Sequence, residues 1–454
     1  MKLVIVGGGI SGLSAAYELC KTGHEVLLLE SSGRLGGKIL TTEVAGSNID
    51  AGPDSFLTRD PEMRELCFSL GIGDELVSPV SRAAKIWVNG SMHALPKKHF
   101  LGVPLDLDEL ENLSIISEKG LSEARTDLIK SGNEPNEDET VGSLVRRRLG
   151  DEIMENLVGP LLGGINAGDA DTLSLEFGVP RLFEASRHDP SLINSINSFL
   201  SQQETDPREP IFLTHPAGLQ RVVDSLEAQI TGEIRCNEKV SGLRKSGASW
   251  IVESNEEYKA EGIIFSTPAF ITSNIISSSC PNTARLLSEI KYASMAFITF
   301  AFPFDSVPDF DGSGFLVSRD EDMLTTACSW TSSKWAHFKN DKKVYIRLSV
   351  GRFEDDSALR LNDVELIEQL RKELEIFTGI TADPLATRVT RWPNSFPQYE
   401  VGHGEKIQKI RSKIIKEGPG VFLAGAAFNG LGLSACIRDG TSQAQAISKF
   451  LVEK

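Results

Sequence analysis

The sequence lacks the patterns of a metal centre or a disulfide framework. Its six cysteines are scattered over 454 residues, and none forms a C-x-x-C pair or stands at ligand spacing from a histidine. Zinc and iron–sulfur sites need such spacing, and secreted disulfide scaffolds are small and cysteine-dense. We therefore expect no bound metal and a reducing environment.

Long apolar runs are also missing. Glycines interrupt Leu3–Tyr17, and Tyr292–Phe304 is shorter than the roughly 18 residues that span a bilayer. Val421–Ile437 is long enough but is broken by glycines, an asparagine and a serine. We expect no transmembrane segment and no export signal, hence a cytoplasmic protein, with peripheral contact to a membrane left open.

An excess of positive charge is absent as well. Lysine and arginine number 47 against 63 aspartates and glutamates, a formal net charge of −16. A surface of this sign repels phosphate backbones, so no nucleic-acid partner is expected. With 40% hydrophobic and 24% charged residues, the composition is that of a globular protein large enough for several domains.

The N-terminal residues predict a βαβ unit. KLVIV (residues 2–6) has the pattern of a buried parallel strand, a helix is expected over Gly12–Thr22, and a second strand over Glu25–Glu30. Gly7, Gly9 and Gly12 form G-x-G-x-x-G between strand and helix, and Glu30 ends the second strand. This context favours a dinucleotide site: backbone and helix N-terminus hold the pyrophosphate, and the carboxylate accepts the ribose hydroxyls.

The acidic stretch 105–140 has few aromatic residues, and we expect it to be a solvated insertion with a loop at Ser131–Thr140. Helical periodicity follows over Val141–Leu162, where Arg146–Arg148 is predicted to lie on a solvated helix face.

Further along, alternating and periodic patterns predict a sheet, a helix, a buried strand and a closing helix. The predicted ranges are Tyr292–Phe302, Gly314–Arg319, Met323–Trp330 and Val344–Gly351 for the sheet, then Asn362–Thr378, Val421–Ala427 and Cys436–Val452.

Two turns after the fingerprint favour FAD over NAD. Glu30 is followed by S-S-G-R-L-G-G-K, which puts basic Arg34 and Lys38 around a Gly-Gly pair, as suits a second phosphate-contacting loop. Asp50–Ser55 (DAGPDS) is a glycine turn of the kind that lies near an isoalloxazine ring. In series with the fingerprint, these turns indicate a cofactor held along its whole length.

At this point the sequence resembles the FAD-dependent amine oxidase superfamily and, within it, the oxygen-dependent protoporphyrinogen and coproporphyrinogen oxidases. The motifs that carry the resemblance cover nearly the whole chain. They are GGGISGLSAAYEL, VNGSMHALPK, VGSLVRRRLGDEIMENLVGPLLGGINAGDADTLSL, EIKYASMAFITFAF, RWPNSFPQYEVGH and LAGAAFNGLGLSACIRDG. CSWTSSKWAH (Cys328–His337) is similar to the Gram-positive branch that acts on coproporphyrinogen III.

The resemblance implies a non-covalent FAD and a set of residues that contact it. These are Gly7, Gly9, Ile10, Ser11, Gly12, Glu30, Ser31, Arg34, Gly37, Lys38, Gly52, Pro53, Asp54, Ser55, Val240, Trp392, Gly425, Leu431, Gly432, Leu433 and Ser434. The glycine-rich turn before the closing helix would direct a second helix N-terminus at the flavin, where it favours the anionic reduced ring.

The activity implied is haem biosynthesis: three two-electron oxidations of a porphyrinogen, with hydride transfer to the flavin and hydrogen peroxide formed from molecular oxygen. No side chain is assigned as catalytic, because the flavin carries the chemistry. A homodimer and a transient handover to the next enzyme of the pathway are left open as partners.

The substrate is large, flat and anionic, so its pocket needs apolar walls and cations. The candidate walls are Ile165, Phe315, Leu316 and Trp330, and the candidate cations are Lys85, Arg181 and Lys334.

The expected fold is α/β with discontinuous domains. A Rossmann-like FAD domain takes residues 1–80, 210–285 and 385–454, a mainly helical domain takes 85–205, and a sheet-containing substrate domain takes 286–384. Two rival functions remain: an amine oxidase or desaturase on the same fold, and a non-catalytic flavoprotein that carries tetrapyrrole. Ala427-Phe428 offers at most one of the two aromatic rings with which amine oxidases usually frame the flavin.

Overall fold

A computed structural model describes residues 2–81, 83–129, 137–202 and 209–453. The strands are β1 (Lys2–Val6), β2 (Glu25–Leu29), β3 (Thr41–Val44), β4 (Ser47–Asp50), β5 (Phe56–Leu57), β6 (Ala84–Val88), β7 (Ser91–Ala94), β8 (His99–Phe100), β9 (Val103–Pro104), β10 (Phe212–Leu213), β11 (Glu233–Arg235), β12 (Gly242–Ser246), β13 (Ser249–Glu253), β14 (Glu257–Ala260), β15 (Gly262–Phe265), β16 (Tyr292–Pro303), β17 (Gly314–Val317), β18 (Thr325–Ser329), β19 (Lys343–Val350), β20 (Ala386–Pro397) and β21 (Val421–Leu423).

The helices are α1 (Ile10–Lys21), α2 (Glu62–Ser69), α3 (Leu107–Leu110), α4 (Glu118–Arg125), α5 (Val141–Leu149), α6 (Asp151–Ile153), α7 (Gly159–Asn166), α8 (Leu175–Gly178), α9 (Pro180–Ala185), α10 (Leu192–Ser201), α11 (Gln220–Gln229), α12 (Ala269–Ile276), α13 (Pro281–Ser288), α14 (Thr331–Lys334), α15 (Ser357–Arg360), α16 (Asp363–Thr378), α17 (His403–Glu417), α18 (Ala426–Asn429) and α19 (Leu433–Glu453).

A five-stranded parallel sheet positions the candidate cofactor site. Its order is β11-β2-β1-β15-β21, so the first, middle and last parts of the chain each contribute strands. β1 pairs with β2 on one side and with β15 on the other. It is almost completely buried because α1 covers one face and the three-stranded sheet β12-β13-β14 packs on the other. Parallel strands end at one edge of a sheet, and ligands of such folds bind there.

A seven-stranded sheet of order β20-β16-β19-β18-β17-β6-β7 forms the second layer. One face, here called the outer face, is covered by α16, which packs Leu366, Leu370 and Leu374 against the sheet. Asn362 caps this helix in a capping box with Glu365. The opposite, inner face turns toward α7 and the cofactor sheet.

The predicted α/β class is confirmed, and the strand pairing revises the expected segments of the second sheet. Strands β6 and β7 lie in this sheet, although residues 85–205 were expected to be mainly helical. Strand β20 also pairs there, along β16, although residues 385–454 were expected in the FAD domain. The 12 residues of β16 need hydrogen-bonding partners along both sides, and sequence patterns do not reveal which strands supply them. The domain boundaries themselves stay a prediction.

The acidic stretch differs from the expected solvated insertion. It contains α3, α4 and a 3₁₀ turn at Thr126–Ile129, in which Asp127 is fully buried. Asp127 forms an ion pair of 2.8 Å with Arg148, so this arginine is in the core and not on a solvated helix face. Most of the loop predicted at Ser131–Thr140 lies outside the described residues.

Two predicted elements near the C-terminus have different limits. Strand β21 ends at Leu423 and is followed by the short helix α18, where an unbroken strand to Ala427 was expected. Helix α19 begins at Leu433, three residues before the predicted start. Gly425 and Gly430 have positive φ angles, which neither a strand nor a helix allows, so the strand ends before Gly425 and α19 begins after Gly430.

Candidate functional site

The glycine fingerprint forms a tight turn between β1 and α1. Gly7 has a φ of +109°, which side chains other than glycine rarely tolerate. A Cβ on Gly12 would lie 2.0 Å from the carbonyl oxygen of Gly7, so only glycine allows the helix to start this close to the strand. A Cβ on Gly9 would meet no atom within 4 Å. The backbone at Gly9 therefore borders open space at the N-terminus of α1.

Glu30 lies at the end of β2 with its carboxylate fixed by the backbone. One oxygen accepts a hydrogen bond of 2.7 Å from the N–H of Gly8, and the other accepts one of 2.8 Å from the N–H of Ser32. The Ser31 hydroxyl also donates to it, at 3.2 Å. Because each carboxylate oxygen has a second lone pair, the group remains able to accept hydroxyl donors.

The following turn is built around Arg34. Its guanidinium donates to the carbonyls of Leu35, Gly37 and Ile39 at 3.0, 2.5 and 2.9 Å. These bonds hold the Gly-Gly pair against the fingerprint, where a Cβ on Gly37 would lie 3.1 Å from the Cα of Gly9. Arg34 thus shapes the loop, a role that the sequence did not predict.

Lys38 is the cation of this turn. Burial lowers the pKa of its ammonium group, although the nearby Cys436 acts in the opposite direction. The described residues give it no carboxylate within ion-pair distance. A half-buried ammonium group without such a partner suits a site for an anionic cofactor.

Side chains from the inner face hold the DAGPDS loop. The Arg347 guanidinium donates to the carbonyls of Asp50 and Gly52 at 2.9 and 3.1 Å. The indole N–H of Trp392 donates to the carbonyl of Ala51 at 2.7 Å. The loop between the two sheets is therefore tied to the sheet that would bind substrate.

Asp54 adds an ionic link at the same place. Its carboxylate lies 3.0 Å from the Lys334 ammonium group and 3.4 Å from the Arg347 guanidinium. Burial alone would raise the pKa of Asp54, but the two cations hold it well below its usual range. Lys334 was predicted to bind a substrate carboxylate; in the structure its ammonium group pairs with Asp54, and the substrate contact stays a prediction.

Sequence reasoning missed Arg347. Its guanidinium also lies 4.7 Å from the ring centroid of Phe297 on the neighbouring strand β16. A signal was present, since Arg347 is the one charged residue inside the otherwise apolar or small run VYIRLSVG. A buried strand does not carry such a residue without a partner.

The closing segment, residues 424–434, runs from the end of β21 into the first turn of α19 and brings the last predicted contacts to the same edge. Gly425 has a φ of +125°, and a Cβ on Gly432 would meet no atom within 4 Å. The Ser434 hydroxyl donates to the carbonyl of Asp60 at 2.8 Å, which ties the start of α19 to the chain after the DAGPDS loop. Val240 is buried in the apolar cluster on the far side of the five-stranded sheet, so its predicted contact stays a prediction.

The predicted substrate walls divide between two faces. In β17, Leu316 points to the inner face and reaches α7, where a Cβ on Gly164 would lie 2.7 Å from it. Ile165, the next residue of α7, is 53% exposed. Leu316 and Ile165 therefore remain compatible with an apolar wall.

Phe315 and Trp330 were also predicted as walls; the structure places both in the apolar core, and their contact with substrate stays a prediction. Successive side chains of a strand point to opposite faces, so Phe315 faces α16 and contacts the ring of Phe377 at 5.0 Å. Trp330 is 4% exposed and stacks on Phe310 at 4.5 Å between ring centroids. Both are core residues.

The two remaining predicted cations, Lys85 and Arg181, lie in different parts of the structure. Lys85 pairs across the sheet with Phe315 and so shares its outer face; its ammonium group lies 5.6 Å from the ring centroid of Trp330. It is therefore directed away from the inner face, and its contact with a substrate carboxylate stays a prediction. Arg181 lies over the rings of Phe100 and Phe199, at 5.5 and 5.7 Å.

The geometry fits the cofactor implied by the resemblance. Two helix N-termini border open space at Gly9 and Gly432, and the carboxylate of Glu30 is fixed at the end of β2. Lys38, which lies near Cys436 of α19, supplies positive charge. Among the described residues, no group of three metal-ligating side chains comes together, and no helix is long and apolar enough to cross a membrane.

Comparison with known proteins agrees with this site. Residues 10–448 match the family described as "Flavin containing amine oxidoreductase". The chain is 34% identical to coproporphyrinogen III oxidase of Bacillus subtilis (strain 168), over 96% of each chain. It is 31% identical to the enzyme of the same name from Staphylococcus aureus (strain NCTC 8325 / PS 47), over 98% of each chain.

Solved structures of flavin oxidoreductases share the fold of this chain. A crystal structure of a protein from Exiguobacterium sp. 255-15, assigned as a protoporphyrinogen oxidase, superposes with a TM-score of 0.91 at 29% identity, covering 100% of this chain and 99% of that one. Cyclohexylamine oxidase from Brevibacterium oxydans IH-35A, at 17% identity and a TM-score of 0.74 over 99% of each chain, shares the fold. The chain therefore belongs to the flavin containing amine oxidoreductase family, as an FAD-dependent oxidoreductase similar over nearly its whole length to bacterial coproporphyrinogen III oxidases.

Proposed function

We propose that this protein oxidises coproporphyrinogen III to coproporphyrin III in haem biosynthesis, with molecular oxygen as electron acceptor. The observation that carries the proposal is the 34% identity to the Bacillus subtilis enzyme of that name, which extends over 96% of both chains. A local motif shared by chance would not extend this far.

The site geometry supports a substrate with a large apolar ring. The DAGPDS loop and the inner face of the seven-stranded sheet are joined by Arg347, Trp392 and Asp54. Leu316 and the exposed Ile165 lie on this inner side. We place the tetrapyrrole ring between them and the FAD site, with Arg181 as a candidate for a propionate contact.

Bound FAD supplies two-electron oxidation at this place. A porphyrinogen becomes a porphyrin by losing six electrons and six protons, so three molecules of oxygen give three of hydrogen peroxide. The chain's own part is to hold the cofactor at Gly7–Gly12, Glu30 and Lys38, to fix the DAGPDS loop through Arg347 and Trp392, and to keep the ring dry and oriented.

Anaerobic mixing with coproporphyrinogen III tests the proposal. We expect loss of the yellow absorbance of oxidised flavin, and porphyrin fluorescence with peroxide once oxygen is admitted. Binding without bleaching would instead identify a tetrapyrrole carrier. Bleaching by amines and not by porphyrinogens would identify an amine oxidase.

The finer expectations about partners and location belong to the same proposal. We propose a cytoplasmic enzyme that forms a homodimer and passes its product to the next enzyme of the pathway. Light scattering of the purified holoenzyme tests the homodimer. Transfer of porphyrin between the two purified enzymes, in competition with a trapping protein, tests the handover.

A further inference from the structure

Two buried aromatic side chains hold the closing segment from one side. The Tyr399 hydroxyl donates to the carbonyl of Ala426, and Nε2 of His403 lies 2.9 Å from the carbonyl of Ala427. Both residues follow β20, at 3% and 4% exposure. Because a carbonyl can only accept, Nε2 of His403 must carry the proton.

These two side chains form one packed cluster with Phe177 of α8. The ring centroids of Tyr399 and His403 lie 4.8 Å apart, and Phe177 lies 5.0 Å from the first and 4.6 Å from the second. The N–H of Ser174 donates to the carbonyl of Tyr399 at 2.7 Å, which anchors the cluster to the helical part of the chain. The two hydrogen-bond donors are therefore held in position by contacts that lie outside the closing segment.

Asp439 of α19 holds the segment from the other side. Its carboxylate accepts from the N–H of Gly425 at 2.8 Å and from the side-chain amide of Asn429, and it pairs with Arg411 at 3.1 Å. Tyr399 and His403 thus bind carbonyls of the closing segment, and Asp439 binds two of its N–H donors. The peptide planes from Gly425 to Phe428 have little freedom to turn.

This orientation matters for the residues that follow. The N–H groups of Gly432, Leu433 and Ser434 have no acceptor within the part of the chain that the structure describes, as is usual in the first turn of a helix. If the carbonyls of Ala426 and Ala427 turned into the site, their partial negative charge would oppose those N–H dipoles.

We propose that Tyr399 and His403 are positioning residues for the flavin end of the cofactor: they keep two carbonyls out of the site and so raise the cofactor's affinity for electrons. The inference rests on the cofactor placement in the proposed function. Reduction adds negative charge to the cofactor, so fixed donors favour the reduced form and fixed acceptors disfavour it.

The two-electron midpoint potential of the purified holoenzyme tests this, measured anaerobically against a reference dye. Tyr399→Phe and His403→Phe each remove one donor and keep a ring in the cluster, whereas His403→Gln restores an N–H donor. We expect the preference for reduced over oxidised cofactor to fall threefold to tenfold in the two Phe variants. For a two-electron couple this lowers the midpoint potential by about 14–30 mV. His403→Gln should recover part of the loss.

Tyr17→Phe is the matched control, because the Tyr17 hydroxyl donates at 3.4 Å to the side chain of Gln229 on α11 and not to the closing segment. If the Phe variants lower the melting temperature but keep the potential of this control, Tyr399 and His403 are structural only and the proposal is wrong. If His403→Phe fails to retain FAD, Tyr399→Phe decides, since it removes a single oxygen atom. The measurement uses no porphyrinogen, so a failure of the proposed substrate leaves its outcome unaffected.

Discussion

Cys436 is the residue whose position most invites a covalent cofactor link. It lies on α19 near Lys38 and Ser11, within the candidate site. Burial raises the pKa of its thiol to about 11, even though Ser11 and Lys38 favour the thiolate. The reactive thiolate is therefore scarce at neutral pH.

We accordingly predict a non-covalent FAD. Acid precipitation of the holoenzyme should leave the yellow colour in the supernatant. Colour that stays with the pellet after washing would contradict this.

Glu30 gives a second prediction at this scale. Replacing it by alanine removes the predicted acceptor for the ribose hydroxyls and leaves the N–H groups of Gly8 and Ser32 without this carboxylate. A lost charge-assisted hydrogen bond typically costs about 1.5–3 kcal/mol, which is roughly ten- to a hundredfold in FAD affinity. Glu30→Gln should be milder, because one oxygen survives.

FAD retained after dialysis measures the effect. The exposed Glu43 provides a matched control as Glu43→Ala. Equal occupancy in Glu30→Ala and Glu43→Ala would show that Glu30 does not contact the cofactor.

Asp50 makes stability depend on pH. Burial raises its pKa to about 6, despite hydrogen bonds from Thr41 and the N–H of Leu219. The folded state therefore holds a proton that the unfolded chain, with a pKa of about 3.9, has already lost. This group's contribution is most favourable below pH 4 and is lost as the pH rises to 6.

Asp50→Asn should remove that loss. Relative to wild type, the variant should gain about 2 kcal/mol between pH 4 and pH 6, at 1.36 kcal/mol per unit of pKa difference. Chemical denaturation of both proteins at the two pH values measures the gain. A difference independent of pH would show that Asp50 does not titrate in this range.

Among individual residues, the sequence predicted those whose positions are determined by a local motif. Gly7, Gly12 and Glu30 are fixed by one turn and one strand end, so a motif suffices to find them. The contacts of Lys334 with Asp54 and of Trp330 with Phe310 were not predicted, because no local motif contains both partners. Arg347, Tyr399 and His403 act on backbone atoms of remote loops, and no spacing rule reports such contacts.

Among the elements, α10 depends on a residue from the acidic stretch. Asp127 accepts hydrogen bonds from the N–H groups of Leu192 and Ile193 at 3.1 and 3.0 Å, and from the Ser191 hydroxyl at 2.8 Å. It therefore stabilises the N-terminus of this helix while it pairs with Arg148 of α5.

Asp127→Ala should destabilise the helical part of the chain. Removing one partner of a buried pair typically costs about 3–5 kcal/mol, because a charge stays buried. Asp108→Ala is the control, since that side chain is 89% exposed in its salt bridge. Thermal unfolding should show a clear loss for the first variant and little for the second; similar curves would contradict the assigned role.

Element prediction succeeded where periodicity was strong and failed where average composition was used. The amphipathic pattern of α16 placed that helix within one residue. The acidic stretch was taken as solvated because its mean charge is high, and a mean conceals one buried aspartate. The positions of β6, β7 and β20 in one sheet depend on pairing between distant segments, which no local window contains.

For the whole molecule, the net charge of −16 bears on substrate choice. A tetra-anionic substrate is repelled at long range, so local cations must compensate for its two extra carboxylates. We nevertheless expect coproporphyrinogen III to be preferred over protoporphyrinogen IX, because the segment CSWTSSKWAH resembles the branch that acts on coproporphyrinogen III. kcat/KM for both substrates at the same oxygen and salt concentrations measures the preference. A higher value for protoporphyrinogen would overturn this assignment and leave the flavin oxidase function intact.

The interleaved order of the five-stranded sheet has a consequence for biosynthesis. Strand β21 and helix α19 leave the ribosome after the other four strands of this sheet, yet β21 completes the sheet beside β15 and α19 packs against α1. Domains that are contiguous in sequence can fold during translation, whereas this one must wait for its final segment and close loops of hundreds of residues. Cofactor capture is thus a late event: a nascent chain stalled before residue 421 would expose the glycine turn and β15 without the element that covers them.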